Sequence, residues 1–368
     1  MKVLFSTDQI YLHGGIEKVI AEKANYFAQL PGVEVFILTT EQNGKAPCYP
    51  LDDAIQLLDL SVNYDRSQSY FSKANLGRIW KHYRRQKSML GNVQPDVIIS
   101  PNFNFDHYWL PFIKGKARLI KERHSSRFRD AELRKTVGFL GKIRWVFNDW
   151  TDARYDHIVV LNKDEKSYVK SPNAVVIPNP ISIIDFASPL DKKQVMAAGR
   201  IAPVKAFDEL IHIWSMIKDE FPDWQLHIYG DDYLNTKSQL EKLIVDYHLE
   251  KEVKFKGSVS ELTTAMKDYS IYAMSSETEC FPMVLLESLS VGLPIVSYDC
   301  PNGPRNIIQE GEDGFLVENK NREAFAKALK KLMQDQELRV ETGKKAKENS
   351  KSFSTEVVML QWKKLLDL

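Results

Sequence analysis

Glu279 and Glu287 stand eight positions apart in the run SSETECFPMVLLESLSVGLPIVS, and between them the chain carries the marks of a helix start. Cys280 and Phe281 read as loop, Pro282 is tolerated in a first turn, and the apolar run that follows is stopped by Gly292 and Pro294. The segment Phe281, Pro282, Met283, Val284 would then present free backbone N–H groups and the positive end of a helix dipole, which suits a phosphate. Carboxylates repel an anion, so the two glutamates are expected to accept hydrogen bonds from neutral hydroxyls on either side of it. A sugar, a diphosphate and a ribose fit that arrangement. Two Glu eight apart occur in many surface helices; the setting FPMVLLE followed by a strand-like GLPIVS is what makes this pair specific.

A second group of residues suits the same anion. Arg200 and Lys205 follow the strand-like QVMAAG in GRIAPVKAFDELI. A departing nucleoside diphosphate gains negative charge in the transition state, and fixed cations stabilise it where it forms. Arginine can grip two phosphate oxygens at once, whereas lysine acts as a point charge. An exposed loop would also carry both by chance. Gly14 and Gly15, between the first strand and the stretch IEKVIAEKANYFAQL, would let the backbone approach a ligand, although a simple turn explains two glycines equally well. Gly230 with Asp231, and Gly257 with Ser258, each end a strand-like run. His124, in ERHSSRF after ARLIKE, is either surface decoration or a hydrogen-bonding group at neutral pH; Arg123, Arg127 and Arg129 beside it could instead meet an acceptor phosphate.

These residues need elements to hold them, and the rhythm of the chain supplies the elements. In the first half, β-branched runs fall at 2–7, 33–40, 96–101, 117–122, 157–162 and 174–178; in the second, at 194–199, 225–230, 253–257, 271–276, 294–299 and 314–318. Amphipathic stretches lie between most of them. Strand, helix, strand in repetition predicts parallel sheets covered on both faces, and two such series predict two Rossmann-like domains. The joint is expected in PNPISIIDFASPLDKK (178–193), rich in proline. In open α/β sheets ligands sit at the carboxyl ends of the strands, where Gly14 and Gly15, Arg200 and Lys205, Gly230 and Gly257, and His124 fall.

With 368 residues, 43% hydrophobic and 27% charged, the chain is long enough for two cores. No run of about 18 apolar residues predicts a membrane span, and MKVLFSTDQIYLHGG turns polar too early for a cleavable signal. Cys48, Cys280 and Cys300 form no C-x-x-C pair and the eight histidines no H-E-x-x-H, so a reduced, cytoplasmic protein without a metal site is expected. The net charge of +1 hides an asymmetry: residues 1–190 carry 26 Lys/Arg against 20 Asp/Glu, and residues 191–368 carry 24 against 29. The excess sits in 73–87, 114–129 and 134–147, interleaved with Trp80, Tyr83, Phe139, Trp145 and Phe147. That pattern suits an anionic membrane surface or an anionic lipid-linked acceptor; a solvated helix face with its aromatics packed inward would look the same. No nucleic-acid recognition motif is present.

The stretch from Glu279 to Glu287 resembles the E-x7-E signature of glycosyltransferase family 4, retaining nucleotide-sugar enzymes of GT-B fold, and the bacterial members that build polysaccharide or glycolipid are the nearest in kind. The pattern G-R-x-x-x-x-K at Gly199 to Lys205 belongs to the same family. The resemblance implies an acceptor-binding Rossmann-like domain over 1–180, a nucleotide-sugar-binding one over 181–352 and a helix over 353–368 crossing back to the first, with parallel sheets facing across a cleft. By the same likeness Glu279 contacts the donor sugar, Glu287 the ribose, Arg200 and Lys205 the diphosphate, and the Gly14–Gly15 loop closes over it. Gly230 and Gly257 border the nucleobase through backbone groups, uracil before guanine. His124 lies near the donor sugar and the attacking acceptor. Three departures stand out: Ala206 and Cys280 where glycine is common, and Pro180 after Asn179.

No D-x-D occurs in the chain, so cations and a helix dipole would have to hold the diphosphate without metal. The expected reaction moves a hexose or N-acetylhexosamine from a UDP-sugar, or a GDP-sugar, to a saccharide or lipid-linked acceptor in surface polysaccharide or glycolipid synthesis. Same-face attack would retain configuration, with a leaving phosphate oxygen taking the acceptor's proton. Glu279 and Glu287 are not expected to act as the acid and nucleophile of a hydrolase, because they are assigned to different parts of one donor. Two rivals remain: a UDP-sugar 2-epimerase of similar shape, and a sugar-nucleotide-binding protein without turnover.

Overall fold

The computed structural model describes residues 1–70, 72–101 and 104–368. Contacts divide the chain into one unit of residues 1–180 with 358–368, and a second of residues 181–357.

The first unit is built on a parallel sheet of β1 (Lys2–Thr7), β2 (Glu34–Thr39), β3 (Gln56–Asp59), β4 (Val97–Ser100), β5 (Arg118–Arg123), β6 (His157–Val160) and β7 (Ala174–Val176), in the order β3-β2-β1-β4-β5-β6-β7. Strands covered on both faces read as unbroken apolar runs, and in β1 Val3, Leu4 and Phe5 are all fully buried. The helix Gly15–Ala28 follows β1 and buries Val19, Ile20, Ala24 and Phe27. β1 pairs with β2 on one side and β4 on the other, so the order reverses there. The loop after β1, with Gly14, therefore lies at a topological switch point.

β3 is absent from the sequence-based expectation. It is an edge strand paired only to β2, with Gln56 and Leu57 exposed, so no buried alternation marks it. The other strands lie within two residues of their expected bounds.

The second unit repeats the plan with β8 (Gln194–Ala198), β9 (Gln225–Tyr229), β10 (Val253–Gly257), β11 (Ile271–Met274), β12 (Ile295–Tyr298) and β13 (Gly314–Val317), all parallel, in the order β10-β9-β8-β11-β12-β13. Here the reversal falls between β8 and β11. The loop after β8 holds Arg200 to Lys205, and the loop after β11 holds Glu279.

The helix Thr355–Leu366 joins the first unit from Val358 onward. Val358, Met359, Trp362 and Leu366 are buried among Val3, Phe5 and Phe27, with Leu365 packed alongside. Truncating a buried tryptophan to alanine costs about 3–5 kcal/mol, so this helix is a working part of that core.

Candidate active site

At the switch point of the second unit the loops after β8 and β11 are tied together. Glu277 N–H donates to the Val204 carbonyl at 2.9 Å, and the Ser275 hydroxyl donates to the carbonyls of Lys205 and Ala206 at 3.1 and 2.8 Å. These bonds bring Lys205 Nζ to 2.6 Å from Glu279 Oε1, with side-chain exposures of 22% and 13%. Lys205 and Glu279, 74 residues apart in sequence, thus form one partly shielded ion pair. The stem of Lys205 lies over Gly199, where a Cβ would come within 3.2 Å of Lys205 Cε. A side chain at 199 would require that stem to give by a few tenths of an ångström.

Glu279 is held from its other side by the loop after β12. Its backbone bridges to Asn302, and a Cβ on Gly303 would fall 2.6 Å from the Cβ of Glu279. Only glycine lets that loop pack so closely. Cys300 lies in the field of the same pair: burial pushes its thiol up, the Glu279 and Asp299 carboxylates add to that, and Lys205 opposes it.

Pro282 caps the helix Met283–Val291, without a side-chain hydrogen bond to its first turn, and Gly292 ends it at φ +75°. Met283 and Val284 are half-buried. Phe281 is buried edge-on against Phe353, centroids 5.8 Å apart, so its ring is spent on packing and a ligand could use only its backbone. Glu287 is 5% exposed, one turn into the helix. Burial raises the Tyr272 phenol, whose hydroxyl donates to the Ala198 carbonyl at 3.0 Å, and the Glu287 and Glu279 carboxylates raise it further. Both glutamates therefore act on one tyrosine beneath the switch point.

Three glycines form the adjoining edge. Gly199 N–H donates to Tyr229 O, and Gly230 N–H to Gly257 O. Gly230 has φ +140°, and a Cβ there would sit 2.0 Å from the Gly199 carbonyl oxygen. Gly257 has φ +72° and open space where a Cβ would be. The edge is thus bare backbone, the surface on which a flat ring can lie. Arg200 stands apart from the Lys205–Glu279 pair: it is exposed, with its guanidinium 4.9 Å from the Tyr233 ring centroid. Ala206, at the position where glycine is common, has φ +46°, the left-handed conformation that explains the preference.

The expected site residues of the first unit are His124, Gly14 and Gly15. Gly14 is extended, at φ −164°, and precedes the helix without a side-chain cap. The Glu17 carboxylate folds back over it, 2.3 Å from where a Cβ would be, and accepts from Gln9 Nε2 at 2.6 Å. In this state an acid of the protein's own occupies the helix start. His124 Nε2 lies 2.9 Å from Glu122 Oε2, and both Glu122 oxygens lie 2.5 Å from Lys23 Nζ. Burial would raise the Glu122 carboxyl, but Lys23 and the His124 hydrogen bond outweigh it and hold it at about 2. Burial also pulls the Lys23 ammonium down against Glu122; two oxygens at 2.5 Å mark the pair as carboxylate and ammonium. Lys23 and Glu122 were passed over in the sequence, although charges inside a buried strand such as KER (121–123) are a signal in themselves.

The helix Phe139–Asp152 turns its apolar residues outward. Phe139, Ile143, Val146, Phe147 and Trp150 are all exposed, at helical spacing along one stripe. Tyr108, Phe147 and Trp150 stack in series at 5.4 Å, and Phe112 lies 5.9 Å from Trp150. Trp80 is likewise 62% exposed. Of the rings the sequence singled out, Trp80, Phe139 and Phe147 are thus exposed, whereas Tyr83 and Trp145 are half-buried. Among the described residues no helix is long and apolar enough to cross a membrane, and no three His, Cys, Asp or Glu group together as metal ligands would.

Comparison with known proteins agrees with this geometry. A family model for glycosyl transferases group 1 matches residues 181–349, and one for Glycosyltransferase Family 4 matches residues 13–183. The chain is 26% identical over 375 residues to an uncharacterized glycosyltransferase of Haemophilus influenzae, covering 99% of each. It is 28% identical over 224 residues to the amylovoran biosynthesis glycosyltransferase AmsD of Erwinia amylovora, covering 58% of this chain and 62% of that protein. Among solved structures, Anabaena HepE in complex with UDP-glucose superposes with a TM-score of 0.78 at 16% identity, over 100% of this chain and 99% of that one. Staphylococcus aureus TarM, in complex with Fondaparinux, alpha-GlcNAc-glycerol and UDP, gives 0.78 at 16% over the whole of both; these two likenesses show the fold. Two parallel-sheet units, the joined loops at the second switch point and the matches over both halves lead to one conclusion: the chain belongs to glycosyltransferase family 4 and is a glycosyltransferase of GT-B fold.

Proposed function

We propose that this glycosyltransferase is retaining and metal-independent, and that it moves a hexose or N-acetylhexosamine from a UDP-sugar to a saccharide or lipid-linked acceptor in surface polysaccharide or glycolipid synthesis. The observation that carries the reading is the Lys205–Glu279 pair at the switch point, beside a helix start with no side-chain cap. A diphosphate seated there takes the ammonium of Lys205 and the N–H groups of the Met283 turn, while Arg200 supplies a second cation. Glu279, released from Lys205, accepts a hydroxyl of the donor sugar; Glu287 accepts from the ribose; the Gly230 and Gly257 edge lies along the base. In the reaction the C1–O bond to the diphosphate breaks, the acceptor oxygen bonds to C1 from the same face, and its proton passes to the departing phosphate oxygen. Lys205 stabilises the charge that develops on that oxygen. His124 hydrogen-bonds a substrate hydroxyl.

UDP rather than GDP is favoured because HepE and TarM were each solved with a uridine nucleotide. Surface polysaccharide is favoured by the names of relatives, amylovoran biosynthesis among them. The exposed stripe of Phe139, Ile143, Val146, Phe147 and Trp150, beside exposed Lys142 and Arg144, favours contact with an anionic membrane surface. The testing experiment is thermal unfolding with a panel of UDP- and GDP-sugars, with and without EDTA. One UDP-sugar should raise the melting temperature beyond UDP alone, unchanged by EDTA. Equal shifts from every UDP-sugar, or a shift abolished by EDTA, would refute the donor or the metal-independent reading.

A further inference from the structure

The buried Lys23–Glu122 pair touches His124 and nothing else that the proposed reaction uses. Lys23 reaches in from the helix Gly15–Ala28 and is fully buried, with the Trp362 ring centroid 4.5 Å and the Phe5 ring 5.8 Å from its ammonium. Glu122, near the end of β5, is 1% exposed in its side chain. His124 is two residues on, so its side chain leaves the chain on the same side as that of Glu122. The ring is 4% exposed.

A carboxylate can only accept, so the nitrogen facing it must carry hydrogen. In a neutral imidazole the other nitrogen is then a lone-pair acceptor. Nε2 faces Glu122, and Nδ1 makes no hydrogen bond among the described residues. Lys23 lies against both oxygens of Glu122, which stops the carboxylate from rotating away or taking up a proton. A buried ion pair is a poor route to stability compared with apolar packing of the same volume, so its value here lies in what it orients.

We propose that Glu122, clamped by Lys23, is a positioning residue that fixes His124 as the Nε2–H tautomer, with Nδ1 presented as acceptor for a substrate hydroxyl. This rests on the reading above in which His124 faces substrate. It adds the direction of that hydrogen bond: the substrate oxygen donates and the histidine accepts.

The test is imidazole ¹⁵N NMR on the full chain, with His124 assigned by loss of its signals in His124→Gln. The wild type should show Nε2 protonated and Nδ1 bare at pH 7.5. In Lys23→Met/Glu122→Gln, which keeps the buried site neutral overall, the two tautomers should mix. UDP release from UDP-glucose and from UDP-N-acetylglucosamine, with water as acceptor, gives the kinetic arm. There kcat should fall about 10-fold or more with KM little changed. A wild-type Nδ1–H tautomer, or a double variant whose tautomer and kcat stay put, overturns the proposal. His124→Ala separates the two levels: full activity would show that His124 does not meet substrate and would sink both readings, whereas lost activity there with an unmoved tautomer and kcat in the double variant sinks only this one.

Discussion

Lys205 cannot serve a diphosphate and Glu279 at full strength together, and the pair at 2.6 Å sets up opposite outcomes for two substitutions. Lys205→Ala removes a charge-assisted hydrogen bond to phosphate, worth about 1.5–3 kcal/mol, so UDP affinity should fall by roughly 10- to 150-fold. Glu279→Gln removes the partner with which UDP competes for that ammonium. At exposures of 22% and 13% the pair is shielded only in part, so its net worth is about 1 kcal/mol rather than that of a dry pair. Glu279→Gln should therefore tighten UDP by about 3- to 10-fold, while erasing the extra affinity that the cognate UDP-sugar has over UDP. Isothermal titration of UDP and of the cognate UDP-sugar into the wild type and both variants measures this, and repeating it at higher salt should shrink the Lys205 effect. If the two variants weaken UDP alike, the pair is a strut holding two loops together and the assignment of Lys205 to the diphosphate is wrong.

Gly230→Ala should cost roughly 2–6 kcal/mol, from a strained φ of +140° and a Cβ driven 2.0 Å from the Gly199 carbonyl oxygen. Gly257→Ala, with φ +72° and open space, should cost only about 1–2 kcal/mol; equal losses in denaturant unfolding would show that the β8–β9 approach is not tight. Glu122 sits at about 2 in the folded chain, below the ordinary carboxyl value of 4.5. Its contribution is present above pH 4.5 and lost as pH falls toward 2. Stability of Lys23→Met/Glu122→Gln should be flatter than wild type over that window, and an unchanged slope would contradict the sign. Phe139→Asp/Val146→Asp should cut flotation with anionic lipid vesicles more than 10-fold, since each exposed side chain contributes about 1–2 kcal/mol on burial. Equal flotation of both proteins, or none with the wild type, would remove membrane contact from the reading.

Local pattern carried most of the fold. Buried parallel strands must be nearly all apolar, so β1, β4 and β6 stand out in the sequence, whereas β3, exposed along one edge, has no such signature. Lys205 and Glu279 were legible because each follows a strand that ends at the same switch point. Tyr233 under Arg200 was not, since nothing local ties a guanidinium to a ring 33 residues on. Lys23 and Glu122 are 99 residues apart and meet only through tertiary packing. The outward stripe of the helix Phe139–Asp152 has a period the sequence displays, but period alone does not say which face meets the core.

Trp362, over the ammonium of Lys23, has a consequence for how the chain is made. Residues 1–180 leave the ribosome first, yet the core that holds Phe5 and Phe27 is completed only by Val358, Met359, Trp362 and Leu366. At about 5–20 residues per second the intervening segment takes roughly 10–40 s to synthesise. During that time the nascent first half carries an apolar seam and an unroofed buried cation, a natural landing place for chaperones. The second unit, whose residues run without a break, can fold before its predecessor does.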